Sequence, residues 1–512
     1  MNNPTGEFSG EELRKILDEQ IEKHTSGISL KLLDLDPIDT FHKWHNIVLS
    51  IEEFINIPLF GIDVIKDYEK ILSTPLDENF ISNPNDIKEI IEIIKASYGE
   101  DASSRFLRLM LMTAAINLAF KSQGIYSFGY GINLNTIGNA IIYYQSRRRY
   151  LVTFLYIIPR IGKGAKRIEE IHLINELLPT IEFSCVGITS INYQKLLLEL
   201  YNDFKVISDG KKMIGNYQYQ PLEKLFNEPE RISLMDQVLF RADQLKKYDS
   251  KTLEKNKIFS ILELQNSIKL IESSYSFYSI EESDFKVYKS IIYKLLDNIN
   301  DDYFMSISVI EFNSIISFYS ERTQKEIKQY LLNKSDNYAV NLNSYHPLIK
   351  VGSYYNSNLN LMMRFLYYYK NVVLYKIKRF QIHSGFVFED IIKEKLKGKG
   401  FKITDITRIN QKEFDVVTIK DNTIHNFQCK NNSIDLALIE SNPKRFNRYN
   451  RYLVNYYYKA LEKEKKRENL LTKKLNISNI EHYVISRFPV ITSENRIVSF
   501  NELDSWIDKN FA

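Results

Sequence analysis

Cysteine, glycine and proline are scarce in this chain of 512 residues. The only two cysteines, Cys185 and Cys429, exclude a disulfide scaffold and a cysteine-rich zinc site, and they favour a reducing, intracellular compartment. The 18 glycines and 12 prolines make up about 6% of the residues, roughly half of the average share. Because these residues interrupt regular structure, their scarcity predicts long and mostly helical elements.

Long hydrophobic runs are also missing. The longest uncharged stretch, 122–146, is rich in Gly, Asn, Ser and Gln, and the apolar stretch 107–120 is short and contains Arg108. A membrane span needs about 20 apolar residues, so neither stretch is expected to cross a bilayer. Residues 1–22 are polar and acidic and do not resemble an export signal. We therefore expect a soluble, cytoplasmic protein without a membrane partner.

Positive charge is unevenly distributed along the chain. Residues 381–512 contain 23 Lys and Arg and 17 Asp and Glu, a net charge of +6, whereas the first 380 residues carry a net charge of −2. An excess of basic residues in one region suggests a polyanionic partner for that region. The length predicts about three domains, which we place at 1–210, 211–380 and 381–512.

Helical periodicity dominates the first 380 residues. Apolar residues recur at intervals of three and four residues, which predicts helices at 11–23, 43–55, 85–96, 103–120, 236–247, 262–273, 284–298 and 358–379. The stretch 150–158 fits either a strand or a buried helix. We therefore expect a mostly helical domain at 1–210, and at 211–380 either a second helical domain or a continuation of the first.

The pattern changes after position 381. An amphipathic helix at 386–396 is followed by predicted strands at 401–406, 413–420 and 423–430, with Asp421-Asn422 as a tight hairpin turn. Side chains alternate between the two faces of a strand. Asp415 of one hairpin strand can therefore converge with Gln428 and Lys430 of the other, while Cys429 points away. Glu389 on the preceding helix can add a second carboxylate.

These residue types suit the hydrolysis of a phosphodiester. Oxygen ligands that include a carboxylate suit Mg²⁺, which keeps several waters and binds phosphate oxygens directly. A bound metal ion stabilises the charge that develops on the phosphoryl group and lowers the pKa of a bound water. A lysine beside that water can orient it and offset negative charge.

The order of Glu389, Asp415 and Gln428-Cys429-Lys430 resembles the PD-(D/E)XK nuclease superfamily, whose fold is that of the restriction endonucleases. Glutamine in place of the second acid resembles the Mrr-type branch. Phe414 stands where the family's namesake proline stands, a position that is loosely kept. The resemblance covers about 130 residues and implies a C-terminal α/β domain, with a mixed central sheet flanked by helices, after a mostly α N-terminal region.

The resemblance also implies roles for these residues. Asp415 would be the principal metal ligand and Gln428 the second, the Cys429 backbone carbonyl would complete the set, and Lys430 would orient the attacking water. Glu389 would be an additional ligand or would hold the water. The implied cofactor is Mg²⁺, with Mn²⁺ as a substitute. By analogy of fold alone, the protein would be an endonuclease of bacterial restriction or anti-phage defence.

A basic, tyrosine-rich segment follows the predicted hairpin. Residues 443–474 contain eleven basic and three acidic residues. Asn442 and Pro443 predict the start of a helix over 443–471 that aligns Arg445, Arg448, Tyr452 and Lys459 near one face. Phosphate contacts and stacking need such a combination. The sequence thus predicts a nucleic acid partner, DNA more than RNA, while the helical region would bind a target or protein activator, form a homo-oligomer, or hold the nuclease inactive.

Three alternatives remain open on the sequence. The first is a catalytically inactive nuclease-like protein that only binds nucleic acid, and the second is a ribonuclease with the same metal site. The third concerns residues 147–167, which contain seven basic residues and no acidic one; they form either a solvated face with a loop or a second nucleic acid contact. His42 and His45 lie one turn apart without a third ligand, which favours a surface helix over a metal site.

Overall fold

The computed structural model describes residues 4–511 except for 62–67, 83, 123–133, 211, 218–256, 278, 280, 282, 370–375, 433–437, 439–441 and 488. The described part is mostly helical, with a C-terminal α/β region. Its chain folds into two compact units. Of the described residues, the N-terminal unit comprises those within 4–217, 257–268 and 283–365, and the C-terminal unit comprises those within 269–281 and 366–511.

Nineteen α-helices lie in the described residues. In chain order, α1 to α10 are Gly10–Leu33, Pro37–Gly61, Tyr68–Ser73, Glu78–Ser82, Pro84–Tyr98, Glu100–Ser122, Ile137–Ile161, Glu170–Thr180, Val186–Leu200 and Ile261–Phe277. In the same order, α11 to α19 are Ser283–Leu296, Val309–Ile316, Glu321–Leu331, Tyr338–Asn341, Leu359–Tyr368, Lys378–Gly398, Pro443–Lys465, Glu468–Leu475 and Leu503–Phe511. A π-helical turn, Ile181–Cys185, joins α8 to α9.

Fourteen strands of the described chain form four sheets. In chain order, β1 to β7 are Thr5–Ser9, Lys205–Asp209, Met213–Gly215, Ile299–Asn300, Phe304–Ser308, Ile349–Val351 and Tyr354–Asn358. In the same order, β8 to β14 are Lys402–Ile403, Arg408–Ile409, Lys412–Glu413, Val416–Lys420, Thr423–Lys430, Asn479–Ser486 and Ile497–Ser499. The N-terminal unit contains the antiparallel sheets β1-β2-β3 and β4-β5-β7-β6.

Most helices expected in the first 380 residues are present. The stretches 11–23, 43–55, 85–96, 103–120 and 262–273 fall inside α1, α2, α5, α6 and α10, whereas 236–247 lies outside the described residues. The ambiguous stretch 150–158 belongs to α7 and is a buried helix. Its core position is clear from Trp44 of α2, whose indole Nε1 donates to the Leu151 carbonyl at 2.9 Å. The long helices α2 and α7 therefore form the centre of the N-terminal unit.

The basic segment 147–167 differs from both interpretations of the sequence at Arg147, Arg148 and Arg149 only, since Lys163, Lys166 and Arg167 are exposed in the loop after α7. Arg147, Arg148 and Arg149 are 1%, 7% and 4% exposed. Arg147 forms a bidentate pair with Glu182, at 2.6 and 3.0 Å, and Arg148 donates to Glu52 at 2.6 Å. The three arginines are thus part of the core, because carboxylates from other helices neutralise the first two. They contribute neither a solvated face nor an exposed nucleic acid contact.

The interpretation of the two histidines as part of a surface helix holds for one of them only. His42 is exposed on α2, but His45 is 4% exposed. The His45 Nε2 lies 2.8 Å from the Asn358 amide nitrogen, and its ring packs edge-on against Phe304. His45 is a histidine of the core.

One helical stretch, Glu170–Leu200, is long and apolar enough to pass a test for membrane spans that uses length and composition only, applied to the described residues. Of its most apolar window, 56% is buried inside the protein. Glu182 lies in this stretch and pairs with the buried Arg147. These are features of a core helix.

The C-terminal unit is built around a mixed five-stranded sheet in the order β14-β13-β12-β11-β8. The pairs β8-β11 and β11-β12 are antiparallel, and β12-β13 and β13-β14 are parallel. Phe388, Ile392 and Leu396 of α16 pack on one face of the sheet with Phe427. On the other face, Leu471 of α18 packs against Val417. The sheet therefore has helices on both faces.

Candidate active site

The hairpin β11-β12 holds the predicted site residues at one end. The β11-β12 register pairs Val416 with Phe427, so Asp415, the residue before Val416, lies opposite Gln428, the residue after Phe427. The turn residues Asp421 and Asn422 have φ angles of 50° and 55°, the left-handed conformation that a tight hairpin of this kind requires. The hairpin predicted from the sequence is therefore present in the expected register.

The strand begins later than the sequence predicts. Asp415 lies in a bend immediately before β11, and Glu413 belongs instead to the short ribbon β9-β10, where it pairs with Arg408. Phe414 and Val417 pack in the same apolar cluster although they are three positions apart, which regular alternation does not permit. The bend at Asp415 resolves this conflict, so the expectation of a continuous strand over 413–420 was wrong.

Lys430 joins two of the predicted ligands. Its Nζ donates to the Gln428 side-chain oxygen at 3.1 Å and lies 3.9 Å from Oδ2 of Asp415. The same Asp415 oxygen accepts a hydrogen bond from the Cys429 backbone N–H at 2.8 Å. One ammonium group thus lies within reach of both the carboxylate and the amide oxygen.

Glu389 of α16 is electrostatically coupled to this group. Burial, and then the negative charge of Asp415, raise the pKa of Glu389 to about 7. Burial also raises the pKa of Asp415, while the Lys430 ammonium and the Cys429 N–H oppose that rise. The structure therefore brings Asp415, Gln428 and Lys430 together by direct contacts, and Glu389 lies near enough for its charge and that of Asp415 to interact. Burial disfavours the ionised forms of both carboxylates. A cation bound beside them would favour those ionised forms and would itself be stabilised by them.

The donor set fits a hard divalent cation with few protein ligands. Asp415 and Glu389 supply carboxylate oxygens, and Gln428 supplies an amide oxygen that Lys430 already contacts. Among the residues that the structure describes, no group of three or more His, Cys, Asp and Glu side chains could hold a metal ion. A cation here would therefore depend on two carboxylates, neutral oxygens and water, which suits Mg²⁺ better than zinc.

The Gln428 side chain has an unused polar atom. Gln428 is 6% exposed, and its Nε2 is buried without a hydrogen-bond partner among the described residues. A buried donor in this state raises the free energy of the folded protein. A water or phosphate oxygen beside Nε2 would relieve that cost, while the amide oxygen keeps its hydrogen bond from Lys430.

Cys429 is placed partly as expected. It points toward the apolar cluster around Phe388 and Phe427, and burial, followed by the charges of Asp415 and Glu389, raises the pKa of its thiol well above the usual range. The thiol is therefore neutral and unsuited to a nucleophile. Its backbone, whose N–H binds Asp415, is the part of Cys429 that belongs to the site.

A buried polar network next to Asp415 was not predicted. Glu464 of α17 is 0% exposed and accepts from Nε of Arg467 at 2.9 Å and from the Asn426 amide at 2.9 Å. Arg467 also donates to the Glu413 carbonyl at 2.7 Å and lies 4.4 Å from the centroid of the Phe414 ring. The sequence did contain a signal for this buried carboxylate, because Glu464 falls on the apolar stripe of α17 that includes Tyr457 and Leu461.

The predicted nucleic acid residues lie on the exposed face of α17. Asn442 caps this helix by accepting from the Arg445 N–H at 3.0 Å. Arg445, Arg448, Tyr452 and Lys459 are all exposed, and the rings of Tyr449 and Tyr452 stack with centroids 6.1 Å apart. The helix is shorter than the sequence predicts, since it ends at Lys465 and a new helix, α18, begins at Glu468. The buried Arg467 lies at this break.

Comparison of the chain with protein-family models, with curated proteins and with solved structures gave no match.

Proposed function

We propose that the C-terminal unit is a metal-dependent nuclease that hydrolyses phosphodiester bonds, with DNA preferred over RNA. The observation that carries this proposal is the position of Lys430, whose ammonium contacts Gln428 and lies 3.9 Å from Asp415 at one end of the sheet. Glu389 completes the group from a separate helix. The arrangement supports a restriction-endonuclease-like fold for residues 381–512, with α16 before the sheet and α17 between β12 and β13.

Each side chain has a role that follows from its surroundings. Asp415, Gln428 and Glu389, with the Cys429 carbonyl, would hold Mg²⁺, which when bound offsets phosphoryl charge and lowers the pKa of a water. Lys430 would donate a hydrogen bond to the attacking water and stabilise negative charge on the phosphate. The Cys429 N–H fixes the orientation of the Asp415 carboxylate through its 2.8 Å hydrogen bond.

The proposal also assigns a role to the N-terminal unit. The N-terminal unit would recognise a target or a protein partner, assemble copies of the chain, or hold the nuclease inactive until a trigger arrives. A cytoplasmic restriction or anti-phage effector would combine these parts, by analogy of fold alone. A second candidate function, binding of nucleic acid without cleavage, is favoured by one observation. The second acid of the family pattern is replaced by Gln428, which removes one negative charge from the site.

The test compares cleavage with binding. The full chain and the variants Lys430→Ala, Asp415→Ala and Gln428→Glu are incubated with plasmid, single-stranded DNA and RNA in Mg²⁺, in Mn²⁺ and in chelator. We expect Lys430→Ala and Asp415→Ala to lower the cleavage rate by roughly 10²-fold or more while they still bind. Gln428→Glu should remain active or change its metal preference, because an added carboxylate still coordinates a hard cation.

The matched control is Lys397→Ala, which removes an exposed ammonium from the same unit. Equal cleavage by wild type and Lys430→Ala would show that another site or a contaminant acts. Retention of every substrate by wild type with no cleavage in any metal would favour the binding protein.

A further inference from the structure

A cavity of about 570 Å³ lies beside the end of α17, apart from the proposed catalytic residues. Its lining residues are Lys412, Tyr458, Lys459, Glu462, Lys463, Lys466 and Arg467. Five of the seven are basic and one is acidic, and the Glu462 carboxylate also interacts with the guanidinium of Arg496. A concave surface with this charge attracts an anion that carries more than one negative charge.

Arg467 forms the rigid part of the cavity wall. It is 9% exposed, and its Nε and Nη2 are engaged by Glu464 and by the Glu413 carbonyl. Its Nη1 has no hydrogen-bond partner among the residues that the structure describes. A guanidinium held in place with free N–H groups at a cavity is suited to bind a phosphate oxygen. The lysines around it are exposed and can adapt to a ligand.

The cavity continues the exposed stripe of α17. Positions 445, 452, 459 and 466 are seven residues apart, which is two helical turns, so their side chains lie along one line of the helix surface. Lys459 and Lys466 line the cavity, while Arg445 and Tyr452 extend the same line toward the start of the helix. A nucleic acid strand, whose phosphates are regularly spaced, fits such a line better than a compact ligand does.

The cavity is also linked to the backbone that carries the catalytic carboxylate. Arg467 donates to the Glu413 carbonyl and packs on the ring of Phe414, the residue that precedes Asp415. The Arg467 charge lowers the pKa of Asp415, against the stronger effect of burial. A phosphate bound by Arg467 would therefore lie on a wall that is continuous with the proposed active site.

We propose that this cavity binds two or more consecutive phosphates of a nucleic acid strand that runs along α17. The proposal deepens the nuclease function and rests on it, since it assigns a site for the substrate away from the scissile bond. A free nucleotide is less well matched, because its base would need an apolar enclosure. The cavity offers Tyr458 as its one aromatic side chain among the described lining residues, and Tyr458 is 36% exposed.

Binding is measured in chelator, so that cleavage plays no part. Fluorescence anisotropy of a labelled DNA duplex of about 30 base pairs, long enough to cover several helical turns, is recorded at several salt concentrations for the full chain and for Lys463→Ala/Lys466→Ala. The matched control is Lys473→Ala/Lys474→Ala, which removes two exposed ammonium groups from the adjacent helix α18. Thermal unfolding of each variant verifies that the fold is retained.

We expect the cavity variant to lower the slope of log affinity against log salt by about 1.8, because each phosphate contact contributes about 0.9. Its affinity should fall on the order of 50-fold at about 0.1 M salt, and the control should match wild type. An unchanged slope in the cavity variant, equal losses in both variants, or no wild-type binding to duplex, single strand and RNA would overturn the proposal. Displacement of the duplex by ATP as efficiently as by unlabelled duplex would assign the cavity to a free nucleotide instead.

The two proposals fail in different ways. If the nuclease function is wrong, no substrate is cleaved in Mg²⁺, yet the difference in salt slope persists in chelator. If the cavity proposal is wrong, the Lys430→Ala and Asp415→Ala variants still lose cleavage while the cavity variant binds like wild type.

Discussion

The helices α7 and α17 use arginine in opposite ways. In the N-terminal unit, Arg147 and Arg148 of α7 are buried and paired with carboxylates from other helices. In the C-terminal unit, Arg445 and Arg448 of α17 are exposed, and no ion pair of either is found in the described part of the chain. Both segments are basic and rich in tyrosine, so composition alone does not distinguish a core helix from a helix with an exposed basic face.

The spacing of the basic residues distinguishes the two helices. Three consecutive arginines on a helix spread over about 200° of its circumference, so they cannot all share one solvent-exposed side. The basic residues of α17 recur at intervals of three, four and seven and leave a separate apolar stripe for the core. In α7 the arginines are instead followed by a long apolar stretch, which makes the whole helix a core element. A consecutive run thus needs acidic partners elsewhere in the sequence, which in this chain are Glu52 and Glu182.

The largest effect is expected when the buried ion pair between Arg147 and Glu182 is removed. Glu182→Ala leaves the Arg147 guanidinium buried without its carboxylate, which should lower the free energy of unfolding by about 3–5 kcal/mol. The chain has two tryptophans, Trp44 in the N-terminal unit and Trp506 in the C-terminal unit. Urea unfolding in a Trp506→Phe background therefore reports the N-terminal unit through the fluorescence of Trp44.

Two further variants make this test specific. Glu326→Ala removes one partner of the exposed pair Arg322–Glu326 and should change stability by less than about 1 kcal/mol. Arg147→Met combined with Glu182→Leu should recover most of the loss, since apolar residues of similar size replace a buried pair at little cost. A loss below about 1 kcal/mol for Glu182→Ala would mean that water reaches the arginine and that the core is not closed.

Local signals account for what the sequence predicted well. The apolar spacing of Phe388, Ile392 and Leu396 predicted the second half of α16, which begins earlier, at Lys378, and Asp421-Asn422 predicted the tight turn of the β11-β12 hairpin. The turn fixes the register, and the register places Asp415 opposite Gln428. The central part of the candidate site therefore follows from the alternation of side chains and from one turn.

What the sequence did not predict depends on distant partners. The burial of Arg147 requires Glu182, 35 positions away, and Asn426 binds Glu464, 38 positions away. The bend at Asp415 arises because Phe414 and Val417 enter the same apolar cluster, which only tertiary packing determines. Periodicity reports which face of an element is apolar, but it does not report which charged residue has a partner inside.

The exposed arginines of α17 can be tested separately. Replacing Arg445 and Arg448 together by Ala should weaken nucleic acid binding on the order of tens of fold at low salt and flatten its salt dependence, because each phosphate contact releases counterions. Stability should change by less than about 0.5 kcal/mol, as is usual for exposed positions. Anisotropy titrations at two salt concentrations and urea unfolding measure both quantities. Unchanged affinity and slope would move the binding surface away from α17.

His45 lies in the N-terminal core without a partner of opposite charge among the contacts described for it. Burial, with the charge of His42 adding to it, lowers the pKa of His45 from 6.5 to about 3, and the neighbour of its Nε2 is the uncharged amide of Asn358. The folded state therefore keeps His45 neutral while the unfolded chain binds a proton below pH 6.5. Stability from this residue is complete above about pH 6.5 and falls by about 1.4 kcal/mol for each pH unit between about 6.5 and 3. At about pH 5 the loss should be about 2 kcal/mol relative to about pH 7.5, measured by urea unfolding through Trp44.

His45→Gln, which keeps a polar group beside Asn358, should remove that loss, whereas His172→Gln at an exposed position should not. If wild type and His45→Gln lose stability in parallel on acidification, the folded core accepts the His45 imidazolium and the loss comes from other groups.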